Sequence, residues 1–446
     1  MSQRMYKRLI HIKDNCVNGV VIDNPDDVAN LSCFLNKSID QLVKEEDLLI
    51  FPYSLNEYGD ELGQQTIGSL RMVDNKAVLH TGNIMGFVGK GDTQLRISSR
   101  FGTDTDDFFL IYMLCQVHSI NVFDLPFSQS HDQVLDMLIL LFPYYLANAI
   151  KQGLYKEYRT YHYNNPNVRG VVDVNRHIQK NVPFQGNIAY IERVKSVDNP
   201  LTQLIRHTSE FIREHPMGTT ILERDNGVRS FVSHIENATP TYSRRNRAKV
   251  ISDNLRPRVH PYYSEYRPLQ QICVQILQYD EVSMGADKDE IYGLLFDGAW
   301  LWEEYLYTIL DRVGFEHPRN KIGTNRISLF TDGSGWRYPD FYHPISNVVV
   351  DAKYKRMENR SRMSEVDRDD IHQVISYMHV LKSKSGGFIF PSQSTPKTSL
   401  SDLCGYGGSM KLFPVHIPQA SSWFDFTDKI KESENELISE IKVTTI

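Results

Sequence analysis

The sequence predicts a multidomain α+β protein. A β-rich amino-terminal domain spans residues 1–105, a mainly helical middle region 106–268, and an α/β carboxy-terminal domain 269–446. Three observations predict this. Short apolar runs broken by turns fill the first hundred residues. From Asp106 the apolar residues lengthen into runs with helical spacing. After Leu301 a helix pattern, two strand patterns and a second helix pattern follow in order. A chain of 446 residues is long enough for two or three cores.

In the amino-terminal part, Asn83–Val88 and Gln94–Ser98 read as strands flanking Gly89-Lys90-Gly91-Asp92, a hairpin turn. A phosphate loop would need Gly-Lys-Ser/Thr running into a helix, and a strand follows instead. In the middle, Phe108–Leu114, Val134–Ile150 and Pro200–Ile212 read as helices. Lys151–His177 is aromatic and basic, with a turn at Asn164-Asn165-Pro166. Tyr242–Lys249 is the densest basic run, with Arg244, Arg245, Arg247 and Lys249. It suits contact with phosphate or a partner, and equally a solvated helix face. Prolines 257, 261 and 268 punctuate the approach to a helix at Leu269–Tyr279.

Composition narrows the function classes. Hydrophobic residues make up 41% and charged residues 23%, as in ordinary globular proteins. Apolar runs such as Met137–Phe142 are too short to cross a bilayer. The start, Met1–Arg8, lacks the apolar stretch of a signal peptide. Five scattered cysteines with no CxxC pair argue against a disulfide framework and a structural zinc site. The expectation is a cytoplasmic protein without a membrane role. The net charge of −6 gives no support for DNA binding, although a carboxylate-rich catalytic domain lowers it by itself.

The chemistry is concentrated between Leu301 and Tyr377. At about 100° per residue, Trp302, Tyr305, Leu306, Ile309 and Val313 form one apolar helix face. Glu303 lies at its edge and can reach a site built against the core; Glu304 points towards water. Next come Tyr338-Pro339-Asp340-Phe341-Tyr342-His343 and Val348-Val349-Val350-Asp351-Ala352-Lys353, read as strand, turn and strand. A four-residue turn at 344–347 pairs His343 with Val348 and sets Asp340 opposite Asp351. Such pairs have Cα atoms roughly 5 Å apart and share a face, as does Lys353 two residues on. Two opposed carboxylates repel, and a cation between them relieves this. Hard oxygen ligands suit Mg²⁺ or Mn²⁺, and Lys353 can orient water or balance charge at phosphorus. The plain alternative is a buried ion pair with Lys353 and no metal. On the following helix Gln373 and Tyr377 share a face. Gln373 can support Lys353 or the water, and Tyr377 can touch phosphate. An ordinary polar stripe fits them as well.

This order of motifs resembles the PD-(D/E)xK nuclease superfamily. By position Glu303 matches the acidic residue of its first helix, Asp340 and Asp351 its metal ligands, Lys353 its lysine and Gln373 its later glutamine. Most of the chain also resembles McrC-like subunits of McrBC-type or LlaJI-like restriction systems. The matching residues are Thr81–Val88 with Gln94–Phe101, Ile111–Leu114, Val168-Arg169-Gly170-Val171-Val172-Asp173, Asp198-Asn199-Pro200-Leu201 and Tyr266-Arg267-Pro268-Leu269. Ser99-Arg100 stands where the family more often has Pro-Lys, and residues 1–70 match nothing nameable. The resemblance implies a restriction-endonuclease-like carboxy-terminal domain and a partner-docking amino-terminal domain. It implies Mg²⁺-dependent cleavage of double-stranded DNA. It also implies a McrB-like AAA+ hexamer, a GTPase or an ATPase, as partner. A regulatory subunit with an inert nuclease fold is the rival reading, and a stand-alone nuclease a third.

Overall fold

Strands Ile84–Lys90 and Thr93–Ser98 pair antiparallel with Lys90 opposite Thr93, so the glycine-rich segment is a hairpin. Its turn is tighter than expected: only Gly91 and Asp92 lie outside the strands, with Gly91 at φ +56°. In this computed structural model the described residues are 8–46, 48–51, 61–103, 107–119, 133–223, 226–256, 261–281, 291–318, 326–357, 360, 362–394, 400–405 and 407–444.

The hairpin is the middle of a five-stranded sheet. Arg8–Lys13 runs parallel to Thr93–Ser98 on one side. Ile291–Asp297 runs antiparallel to Ile84–Lys90 on the other, followed by Leu49–Phe51. Gly86, at φ +122°, permits that contact, because a Cβ there would meet the Leu294 carbonyl at 2.1 Å. A strand from beyond residue 290 thus completes the amino-terminal sheet. The chain accordingly forms two compact units, residues 1–137 with 285–446 and residues 138–284, where the sequence suggests three domains.

The amino-terminal part is less purely β than expected. Helices Pro25–Leu35 and Ile39–Glu45 lie in it. Their signals are local: Asn24 caps the first with Pro25 in its first turn, and Ser38 and Gln41 form a capping box on the second. Leu31, Phe34 and Leu42 pack with Val88, Leu95 and Leu295 of the sheet in one core.

A second sheet in the same unit has the order Phe341–His343, Val348–Ala352, Ser385–Ser392, Ser409–His416, Ser401–Asp402. The three middle strands are parallel. Helix Arg368–Leu381 connects the first two of them, and its Val374, Tyr377 and Met378 join Val349, Phe388 and Leu412 in a core. Val348 and Val350, on the other face by strand alternation, are equally buried. A strand covered on both faces reads as an unbroken Val run.

The second unit holds helices Pro200–Glu214, Asn226–Ala238, Arg247–Asp253 and Tyr266–Glu281. It also holds a three-stranded sheet of Glu157–Asn165, Ile188–Ser196 and Val171–Val172, so the middle region is not helical throughout. Two matched motifs here are helix caps: Asp173 accepts from the Arg176 N–H, and Asn199 from the Thr202 N–H. Helix Gln133–Lys151 revises one expectation. Over Val134–Lys151 it is long and apolar enough to cross a membrane, and 67% of that stretch is buried inside the protein, where a core helix sits.

Candidate active site

The site hairpin pairs in the register the spacing predicts: His343 faces Val348, Tyr342 faces Val349 and Phe341 faces Val350. One step further sets Asp340 against Asp351 at the open end. Asn347 closes the turn at φ +55°, a conformation that asparagine tolerates. All five residues of Val348–Ala352 are buried, and Asp351 is 1% exposed. Lys353 extends the ladder, its N–H donating to the Ile389 carbonyl at 2.8 Å. Asp340 turns back onto the partner strand, where its Oδ2 accepts from the Ala352 N–H at 2.7 Å.

Helix Gly298–Leu310 delivers Glu303. Its N-cap, Asp297, is the last residue of the strand that completes the amino-terminal sheet, so that sheet fixes where the helix begins. Burial pushes the Glu303 carboxyl up to about 8, helped by Asp297, Asp351 and Glu304 and opposed by Lys353. Burial, then Asp351 and Glu303, holds Asp340 well above the usual carboxylate range. Burial also raises Asp351, against the pull of Lys353. The three carboxyl groups therefore share one electrostatic site.

Lys353 Nζ lies 2.8 Å from Asp351 Oδ2 and 3.1 Å from Asp370 Oδ1, and donates to Gln373 Oε1 at 3.3 Å. Burial disfavours its charge, but Asp351, Asp370 and Asp340 outweigh burial and raise its pKa. Gln373 Nε2 donates to the Tyr377 hydroxyl at 2.8 Å. Tyr377 is only 2% exposed, so it backs the glutamine and is not placed to meet phosphate.

Glu304 does not face water. Its side chain is 13% exposed, with Oε1 3.8 Å from His317 Nε2. His317 Nδ1 donates to the Asp340 carbonyl at 2.6 Å, and its ring stacks on Phe341. His317 and Asp370 are the residues that sequence reasoning missed. Asp370 was legible, because 370, 373 and 377 recur at helical spacing on one face. His317 belongs to no sequence pattern, and only the fold brings it to Asp340.

Among the described residues no three His, Cys, Asp or Glu side chains converge into a ready-made group of metal ligands. The donor chemistry nevertheless suits a hard divalent cation. Glu303, Asp340 and Asp351 offer carboxylate oxygens alone. The buried Asp351 Oδ2 receives no well-directed hydrogen bond. Lys353 Nζ contacts it at 2.8 Å as an ion pair.

The raised Glu303 carboxyl predicts a pH dependence. A carboxyl whose folded pKa lies above its ordinary value stabilises the fold most below that ordinary value. The contribution is lost as pH rises towards about 8. In chelator, the unfolding midpoint should fall between pH 5 and pH 8, by the equivalent of about 1–3 kcal/mol. Glu303→Gln should flatten that slope. An identical slope in the variant would show that Glu303 does not set it.

The basic run belongs to the second unit. Arg244 pairs with Glu214 at 2.8 Å, and Arg247 stacks over Phe211 at 5.5 Å. Arg245 and Lys249 are exposed, so the run is partly a packed structural feature and partly a solvated face.

A family model described as McrBC 5-methylcytosine restriction system component matches residues 79–391. Two solved assemblies from Thermococcus gammatolerans are similar. One is a half-complex of McrB AAA+ hexamers with bound McrC, at 15% identity, covering 96% of this chain and all of that one, TM-score 0.47. The other is a McrBC complex, at 16% identity, covering 68% of this chain and 87% of that one, TM-score 0.32. No curated protein matches.

Proposed function

The chain belongs to the family of McrBC 5-methylcytosine restriction system components, and from that premise we propose that it is the endonuclease subunit of such a system, hydrolysing DNA phosphodiester bonds with Mg²⁺ or Mn²⁺. The observation that supports this is the hairpin, whose register runs up to Phe341 and Val350, with the Asp340 carboxylate on the Ala352 N–H and Lys353 beside Asp351. An acidic helix before it and a glutamine helix after it complete the order of a PD-(D/E)xK site.

Asp340, Asp351 and Glu303 would hold the cation. When bound, it supplies charge that polarises the phosphodiester and acidifies an attacking water. In the cation-free site the acidic neighbours of Lys353 raise its pKa, and its ammonium would supply positive charge beside the scissile phosphate. Gln373, held by Tyr377, limits where that ammonium can go. His317 fixes the backbone of Asp340.

The family match supports assigning this chain a McrB-like AAA+ partner, a GTPase or ATPase, working on double-stranded DNA in the cytoplasm. The glycine segment at 89–91 belongs to a sheet hairpin and is not a phosphate loop. One observation favours the rival reading of an activating subunit with a silent nuclease: no ready-made ligand group stands among the described residues.

Plasmid cleavage separates the two. The full chain is mixed with its AAA+ partner, nucleotide and Mg²⁺, wild type beside Asp351→Ala. Cleavage by wild type alone supports the nuclease. Equal silence of both, with partner hydrolysis still stimulated, supports the activating subunit.

A further inference from the structure

Lys353 stands in an unusual relation to the site it serves. Its ammonium touches Asp351 Oδ2, a carboxylate oxygen that an incoming cation needs. Two positive charges cannot share that oxygen without strong repulsion. Loading the site therefore requires the ammonium to let go of Asp351 while staying near the phosphate.

A second carboxylate is already in place for this. Asp370, in the first turn of helix Arg368–Leu381, has Oδ1 3.1 Å from Lys353 Nζ. Its other oxygen, Oδ2, accepts from Lys355 Nζ at 2.9 Å. Lys353 and Lys355 together overcome burial and hold the Asp370 carboxyl below its usual value, so it is charged. Gln373, one turn along the same helix, gives Lys353 a neutral acceptor at 3.3 Å. The ammonium has three neighbours here, Asp351, Asp370 and Gln373, of which only Asp370 carries charge and stands outside the cation trio.

We propose that Asp370 is a positioning residue that receives the Lys353 ammonium when a divalent cation takes Asp351. The role rests on the metal-dependent nuclease reading above and deepens it. Lys355 adds a link to the substrate. Its side chain is 51% exposed, so it can leave Asp370 for a DNA phosphate. Asp370 then has one fewer cation to satisfy and holds Lys353 more strongly. Cation binding and DNA binding reinforce each other through this shared carboxylate.

The test is Mg²⁺ titration of the full chain, read as the shift of its thermal unfolding midpoint. It is run on wild type, Asp370→Asn, Asp370→Glu, Lys353→Met and the double variant Lys353→Met/Asp370→Asn. Asp370→Asn should raise the half-saturating Mg²⁺ about fivefold or more, and Asp370→Glu should recover most of that loss. In the Lys353→Met background Asp370→Asn should change nothing, because the residue acts through the lysine. An equal weakening in both backgrounds would mean that Asp370 acts only as a diffuse charge, which overturns the proposal. So would unchanged Mg²⁺ dependence in Asp370→Asn itself. Absence of any Mg²⁺-dependent shift in wild type would overturn the metal-site reading and this inference with it.

Discussion

Asp351→Asn and Asp340→Asn should each reduce DNA cleavage about a thousandfold or more while making the cation-free chain more stable. The opposite signs share a cause. Burial raises the carboxyls of Glu303, Asp340 and Asp351; Asp351 adds to the rise of both others, and Glu303 to that of Asp340. An amide of the same shape removes one charge from that repulsion without opening a cavity. It also removes a cation ligand. Unfolding at pH 8 in chelator should show higher midpoints for both variants, and added Mg²⁺ should stabilise wild type alone. Asp351→Asn carries one offsetting loss, its contact with Lys353, so its gain should be the smaller. Lower stability together with lost cleavage in both variants would mean that the carboxylates serve only as structural ion-pair partners.

The second large effect is expected at the junction behind the site. Arg100→Ala should cost about 3–5 kcal/mol. Arg100 and Asp14 form a buried ion pair, with side chains 5% and 0% exposed. The Arg100 backbone N–H and its guanidinium both donate to Asp14. The same guanidinium lies over the Tyr354 ring at 4.9 Å and donates to Asn83 at 2.7 Å. Removing it leaves Asp14 charged and buried without its counter-ion. Burial already pushes the Asp14 carboxyl up, and Arg100 opposes that. Asp14→Asn combined with Arg100→Met should lose much less than the sum of the single changes. Urea unfolding of the full chain measures both. Simple additivity would show that the two residues contribute independently.

This pair also explains how the amino-terminal sheet reaches the site. Ser99 Oγ lies 2.8 Å from the Tyr354 hydroxyl, and Arg356 donates to the Arg100 carbonyl at 2.6 Å. The residues leaving the first hairpin thus grip the chain immediately after Lys353. Ser99 and Arg100 both make specific contacts at that junction.

Local patterns in the sequence determined much of this protein. Hairpin spacing set the register from His343–Val348 to Phe341–Val350, because a four-residue turn leaves only one pairing. Helical periodicity placed Glu303 on the core-facing edge and Gln373 on one face with Tyr377, because both depend on residues three or four apart. The helices at 25–35 and 39–45 were signalled by their caps and passed over, since the surrounding strand patterns dominated. Other features were decided only by the tertiary structure. That Ile291–Asp297 joins a sheet begun near residue 8 depends on pairing between distant segments, which no local window contains. The burial of Glu304 against His317 depends on a residue thirteen positions away, beyond the end of its helix. The hold of Asp370 on Lys353 depends on helix Arg368–Leu381 packing over the sheet at one particular height. Periodicity says which face a side chain occupies; what lies opposite that face is settled by long-range packing.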